Sequence, residues 1–144
     1  MKKLLTSLFI VACLLACEGP VGPPGAETQW EYIYYTVRQQ DWRLSGEPNK
    51  PGSYYQFSFD EPAITDFVYT EGVIMGYLVD NPQSRDELLR PLPDTWPMAE
   101  DINTWTESVT FAYTPGRVTF YVGYSDFATG IVPSTMTFKL MMIW

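Results

Sequence analysis

Val109-Thr110-Phe111-Ala112-Tyr113-Thr114-Pro115-Gly116-Arg117-Val118-Thr119-Phe120-Tyr121-Val122 is a β-hairpin written out in order. Val109, Phe111 and Tyr113 alternate with Thr110 and Ala112. Val118, Phe120 and Val122 alternate with Thr119, Tyr121 and Gly123. A period of two sends alternate side chains to opposite faces, which is the pattern of a half-buried strand. Pro115-Gly116 separates the runs and supplies the turn.

The same period recurs outward from this hairpin. Tyr55, Phe57 and Phe59 alternate with Gln56 and Ser58, and Met136, Phe138, Leu140 and Met142 alternate with Thr135, Thr137, Lys139 and Met141. Trp30–Val37 is dense in aromatic and β-branched residues, which favour strands. Val73–Val79 is apolar apart from Gly76 and reads as a central strand covered on both faces. One helical turn is expected near 65–71, with Thr65 as cap, Asp66–Glu71 as the turn, Gly72 as the stop, and Phe67 and Val68 facing the core. Pro82–Pro97 holds four prolines and five charges and reads as a long loop with a turn at Asp86–Leu89. These elements predict an all-β fold: an antiparallel, Greek-key-like β-sandwich of six or seven strands, with a small β-barrel as the alternative. The expected core is Phe57, Phe59, Ile74, Phe111, Phe120, Phe138 and Leu140.

Composition excludes whole classes of chemistry. The 144 residues are 46% hydrophobic and 16% aromatic, enough apolar surface to offset the entropy of ordering one domain. There is no histidine, so Ser-His-Asp and Cys-His hydrolases and most zinc sites are out. No glycine-rich phosphate loop and no Asp-x-Asp-x-Asp-Gly calcium loop occurs, so no cofactor is expected.

The first residues read as an address. Met1-Lys2-Lys3 precedes an apolar run, Leu4–Leu14, too short to span a bilayer, and Leu14-Leu15-Ala16-Cys17 resembles the bacterial lipobox. The expected organisation is a signal peptide at 1–16, a lipidated Cys17 with a Gly/Pro tether at 17–28, and a single β-sandwich domain at 29–144. Loss of 1–16 removes Cys13, Lys2 and Lys3. It leaves 7 basic against 17 acidic residues, a formal net charge of −10. Such a surface repels nucleic acid, so none is expected as a partner, and the acyl chains on Cys17 must supply the hold on membrane lipid. In Glu18-Gly-Pro-Val-Gly-Pro-Pro-Gly25 glycine recurs every third residue, the collagen pattern. A run this short reads as a stiff polyproline II stalk, with trimerisation through the tether as the sharper alternative.

The lipobox cysteine, the Glu-Gly-Pro-x-Gly-Pro-x-Gly run and an aromatic β-rich domain together resemble a group of uncharacterised Bacteroidetes-type lipoproteins. The resemblance extends through Asp41-Trp42, through Ile64-Thr65-x-x-Val68-x-x-x-Gly72-Val73, and through Met136-Thr137-Phe138-Lys139-Leu140 to Trp144. It implies an envelope lipoprotein with a small β-sandwich and no assigned chemistry, at the outer membrane. Periplasmic and surface-exposed faces both remain open.

The binding residues expected from the sequence are Trp96, Trp105, Glu100, Asp101 and Asn103. Two tryptophans bracketing acids and an amide can stack on a sugar ring and bond its hydroxyls. Buried tryptophans that merely pack the sheet are the plainer reading of Trp96 and Trp105. The pairs Asp60-Glu61, Asp86-Glu87 and Glu100-Asp101 read as solvated turn charges, because neighbours on a strand point to opposite faces. The expected role is non-catalytic binding of a glycan or protein. The alternatives are a structural lipoprotein and, third, a carboxylate-dependent glycosidase.

Overall fold

A computed structural model describes residues 27–144; the signal segment, Cys17 and the Gly/Pro run lie outside the described residues. The elements in chain order are β1 (Trp30–Val37), β2 (Arg43–Ser45), β3 (Tyr54–Glu61), α1 (Asp66–Glu71), β4 (Val73–Asp80), β5 (Leu88–Pro91), β6 (Asp94–Glu100), β7 (Asn103–Thr114), β8 (Gly116–Tyr124) and β9 (Met136–Ile143). One sheet has the order β1-β9-β4-β5 and the other β2-β3-β8-β7-β6, with every pair antiparallel. β3 lies beside β8 although β4 and β5 in the other sheet intervene in the chain, a Greek-key-like return. The fold is the sandwich, not the barrel.

The hairpin at 109–122 forms as its alternation requires. Phe111 pairs with Phe120 and Val109 with Val122, and Gly116 closes the turn at φ 77°, a region that L side chains rarely adopt. α1 is bounded as expected: the Thr65 hydroxyl accepts from the Val68 amide, and the Gly72 amide donates to the Val68 carbonyl. The inward side chains of the sheets meet in one core. Phe120 of one sheet stacks on Phe138 of the other, with ring centroids 4.0 Å apart and planes at 11°. Val37, Val118, Val122, Leu140 and Met142 are fully buried around that stack. Gly76 is required there. A Cβ at that position would stand 2.7 Å from the Phe111 ring.

Several expectations are corrected. Phe57, Phe59 and Phe111 pack against the core but are only half-buried. β2 covers β3 only from Tyr54 to Gln56, and β6 covers β7 only as far as Val109, so these three rings sit beside open sheet edges. Phe67 faces solvent while Val68 is buried, since six helical residues present a single inward stripe. β4 is covered on both faces only towards its end: Ile74 and Leu78 are buried on the inward face and Val79 on the outward one, but Val73 on the outward face is exposed, as no third layer lies outside the sheet. Pro82–Pro97 is not one loop. It holds β5 and most of β6, and Leu88 and Leu89 are strand rather than turn. Both are edge strands, where a proline without an N–H is tolerated. Glu61 is no solvated turn charge. It is buried, and its carboxylate accepts from the Tyr35 hydroxyl and the Ala63 amide.

Phe120→Ala removes one half of the inter-sheet stack and should cost ~3–5 kcal/mol in urea denaturation. Gly76→Ala should cost ~1–3 kcal/mol by overpacking against Phe111, and Phe111→Leu in the same chain should restore part of it.

Candidate functional site

β7 is twelve residues long, and its inward phase continues past the core. Val109 is buried; Glu107, Trp105 and Asn103 follow at two-residue steps on the same face. β6 pairs with this overhang through Trp96↔Glu107, Met98↔Trp105 and Glu100↔Asn103, so its Trp96, Met98 and Glu100 share that face. The hairpin thus presents a concave inner surface with no sheet opposite.

The facing wall is the loop after β8. Its first residue is clipped to the hairpin: the Ser125 amide donates to the Thr106 carbonyl (3.0 Å), and the Thr106 amide donates to the Ser125 hydroxyl (2.8 Å). Its middle is tied by the Tyr55 hydroxyl donating to the Thr129 carbonyl (2.6 Å) and the Asn49 amide donating to the Thr129 hydroxyl (2.9 Å). Its end is tied by the Trp42 indole N–H donating to the Ser134 carbonyl (3.1 Å). Between hairpin and loop lies an open cavity of about 800 Å³. Trp105, Glu100, Asn103, Glu107 and Tyr124 line one side; Asp126 and Ile131 line the other.

Three of the five expected site residues therefore meet: Trp105, Glu100 and Asn103. Asp101 does not join them, because it makes the hairpin tip at φ 54°. Trp96, 56% exposed, lines a smaller neighbouring cavity of about 310 Å³ with Asp80, Leu88, Arg90, Asp94, Glu107 and Val109. Glu107 borders both cavities. Within the smaller one, Arg90 is held by Asp80 (Nε–Oδ2 3.0 Å) and Asp94 (Nη1–Oδ2 2.8 Å), and its guanidinium lies 5.4 Å from the Trp96 ring centroid. Trp105 is partly buried, so the packing reading of it is half right; Trp96 is no buried sheet cover.

Glu107 and Tyr124 escaped the sequence reading. The signal that could have found Glu107 is its phase, a carboxylate two residues before Val109 on the core-facing side. Burial pushes the Glu107 pKa up, and Asp94 adds to this. The Tyr124 hydroxyl and Arg90 pull the other way without cancelling it. Burial first, and then Glu107, raise the Tyr124 pKa, so its hydroxyl stays protonated at neutral pH. Among the described residues no group of three or more Asp, Glu, Cys or His is placed to hold a metal ion.

The chemistry on offer is an indole face beside acceptor and amide groups, in a cavity of ligand size with an apolar rim from Ile102 and Ile131. Comparison of the chain with family models, curated proteins and solved structures finds no match.

The raised Glu107 pKa sets a pH dependence. Between the ordinary glutamate pKa of about 4.3 and the higher folded value, the folded state binds more protons than the unfolded one. Stability from this group is fully present below that window and is lost as pH rises through it. Glu107→Gln should therefore gain stability over the wild type as pH rises from 4 to 8, read as the difference in urea midpoint. A constant difference would place Glu107 in water.

Proposed function

We propose that the chain is an envelope lipoprotein, anchored at the outer membrane through acylated Cys17, whose β-sandwich is a non-catalytic binding module for a glycan. The lipobox-like Leu14-Leu15-Ala16-Cys17 supports the anchor. The Trp105 cavity carries the binding reading. It is roomy enough for one or two sugar rings, it has an aromatic face at its side, and Glu100, Asn103 and Glu107 stand ready to bond hydroxyls.

One observation favours a second reading, a carboxylate-dependent glycosidase. Glu100 and Glu107 line one side of the cavity and Asp126 the other, and Glu107 is held towards the protonated form that a general acid needs. Asp126 is partly engaged, since its Oδ1 accepts from the Ala128 amide (3.1 Å).

Titration of the full chain in detergent micelles with a panel of host and bacterial polysaccharides, followed by tryptophan emission, tests the proposal. A saturable shift is expected, weakened about tenfold or more in Trp105→Ala, equivalent to ~1.4 kcal/mol of binding. Trp96→Ala should weaken it less. A flat response with circular dichroism unchanged would sink glycan binding and leave a protein partner. Release of reducing sugar that stops in Glu107→Gln would replace the module with the glycosidase.

A further inference from the structure

The outward face of the β1-β9-β4 sheet has no third layer of strands or helices over it, and it is aromatic; it is buried only at the Val79 end, and Glu87 of the β4–β5 connection reaches the Tyr34 hydroxyl there. Trp30, Tyr32 and Tyr34 stand at two-residue steps along β1 and are 64%, 49% and 38% exposed. The register sets Tyr32 beside Met141, and Met141 beside Met75, so the apolar surface runs on across three strands. Val73, on the same face of β4, is 56% exposed. Among the described residues, Lys139 is the one formal charge at the outward positions of these strands. Its ammonium lies 4.7 Å from the Tyr32 ring centroid and 5.3 Å from that of Tyr34. Glu87 brings one carboxylate to this face, accepting from the Tyr34 hydroxyl at 2.9 Å.

The position of this face in the chain points to its occupant. Gln29 and Trp144 exchange backbone hydrogen bonds at 2.7 and 2.9 Å, so the segment that leads back to Cys17 leaves from a fixed point at the start of β1. The thirteen residues from Cys17 to Gln29 are long enough, at a few ångströms per residue, to let the face lie flat on the membrane beside the anchor. Tryptophan and tyrosine, apolar rings with a polar tip, settle at the headgroup level of bilayers, and a lysine beside them adds attraction to anionic lipid. In a mature chain of net charge −10, a face whose outward strand positions carry only a cation, with Glu87 at its margin, is close to neutral and so is weakly repelled by phosphate. Along the row Tyr32 lies nearly parallel to Trp30, at 13°, and Tyr34 stands at 88° to Tyr32.

We propose that Trp30, Tyr32, Tyr34 and Lys139 dock the sandwich, by this sheet face, on the phospholipid surface that receives the Cys17 acyl chains. The inference rests on the lipid-anchor reading for its tether.

The test places the full chain, isolated from the membranes of an expressing bacterium, in vesicles of phosphatidylethanolamine and phosphatidylglycerol carrying a headgroup-level nitroxide lipid. Tryptophan emission reports docking. The mass of the Cys17-containing peptide reports acylation separately. Quenching is expected in the wild type, falling by about half in Trp30→Phe and in Tyr32→Ser/Tyr34→Ser, whose exposed rings can be lost without unfolding the domain. Equal quenching in wild type and Trp30→Phe overturns the docking. If Cys17 is then acylated, the anchor stands and the stalk holds the domain off the surface. A doubled mass by ultracentrifugation with Trp30 unquenched also overturns it, in favour of a second copy on this face. Trp30 quenched with Cys17 unmodified supports the docking and sinks the acyl anchor.

Discussion

The contact between Phe120 and Phe138 is the constraint on which the rest of the sandwich depends. It joins the centre of one sheet to the centre of the other at 4.0 Å, a ring stacked nearly parallel on a ring. Aromatic pairs contribute beyond the area they bury, and here the pair also fixes the distance and register between layers. Everything near it is sized to fit. Tyr35 tilts onto Phe120 from β1, Phe111 lies beside it on β7, and Gly76 leaves the space that the Phe111 ring enters. With no thiol in the described residues to cross-link the layers, packing of this kind carries the cohesion that a disulfide supplies elsewhere.

The same stack reaches the cavity through Trp42. Its ring meets Phe138 edge-on, with centroids 6.3 Å apart, while its N–H holds the Ser134 carbonyl in the far wall. Tyr55 acts in parallel: it is buried at the edge of the core and spends its hydroxyl on Thr129. Core aromatics with one polar atom each therefore position the loop, and a loop without a helix or strand of its own gains a defined shape. Burial raises the Tyr55 pKa, so its donor proton persists through neutral pH and the tie does not titrate away.

What the sequence made legible was local. The 109–122 hairpin carries its own alternation and turn, and Thr65–Gly72 carries its own cap and stop; both form as read. What it hid was non-local or negative. The prolines at 91 and 97 argue against strands in general, yet an edge strand has one side with no partner for the missing N–H, and only the sheet order reveals which strands are edges. The half-burial of Phe57, Phe59 and Phe111 depends on how far β2 and β6 run beside them, which alternation does not encode. The site divides along the same line. Trp105, Glu100 and Asn103 are neighbours across one tight hairpin and could be grouped by eye. Tyr124 joins them through the β7–β8 register, and the opposite wall is set by contacts 74 and 92 residues apart in the chain.

The overhang of β6 and β7 is where sequence and folding economy part. A strand that keeps its inward phase after the core has ended must place those side chains against something, and here they meet solvent and a loop. An apolar continuation would have closed the gap. Instead the inward positions read Asn103, Trp105, Glu107, and Glu107 is kept where burial disfavours its charge. Tyr124, directly across from it in the register, is likewise half-buried and supplies the hydroxyl that offsets part of that penalty. Of these inward positions, Glu107 carries a cost in stability, since a half-buried carboxylate stands where packing would place valine or leucine. Such local departures from the rules that build the fold concentrate where a protein meets its ligand. The cavity is thus a surface that the overhang of β6 and β7 presents, with the core behind it holding both walls in place.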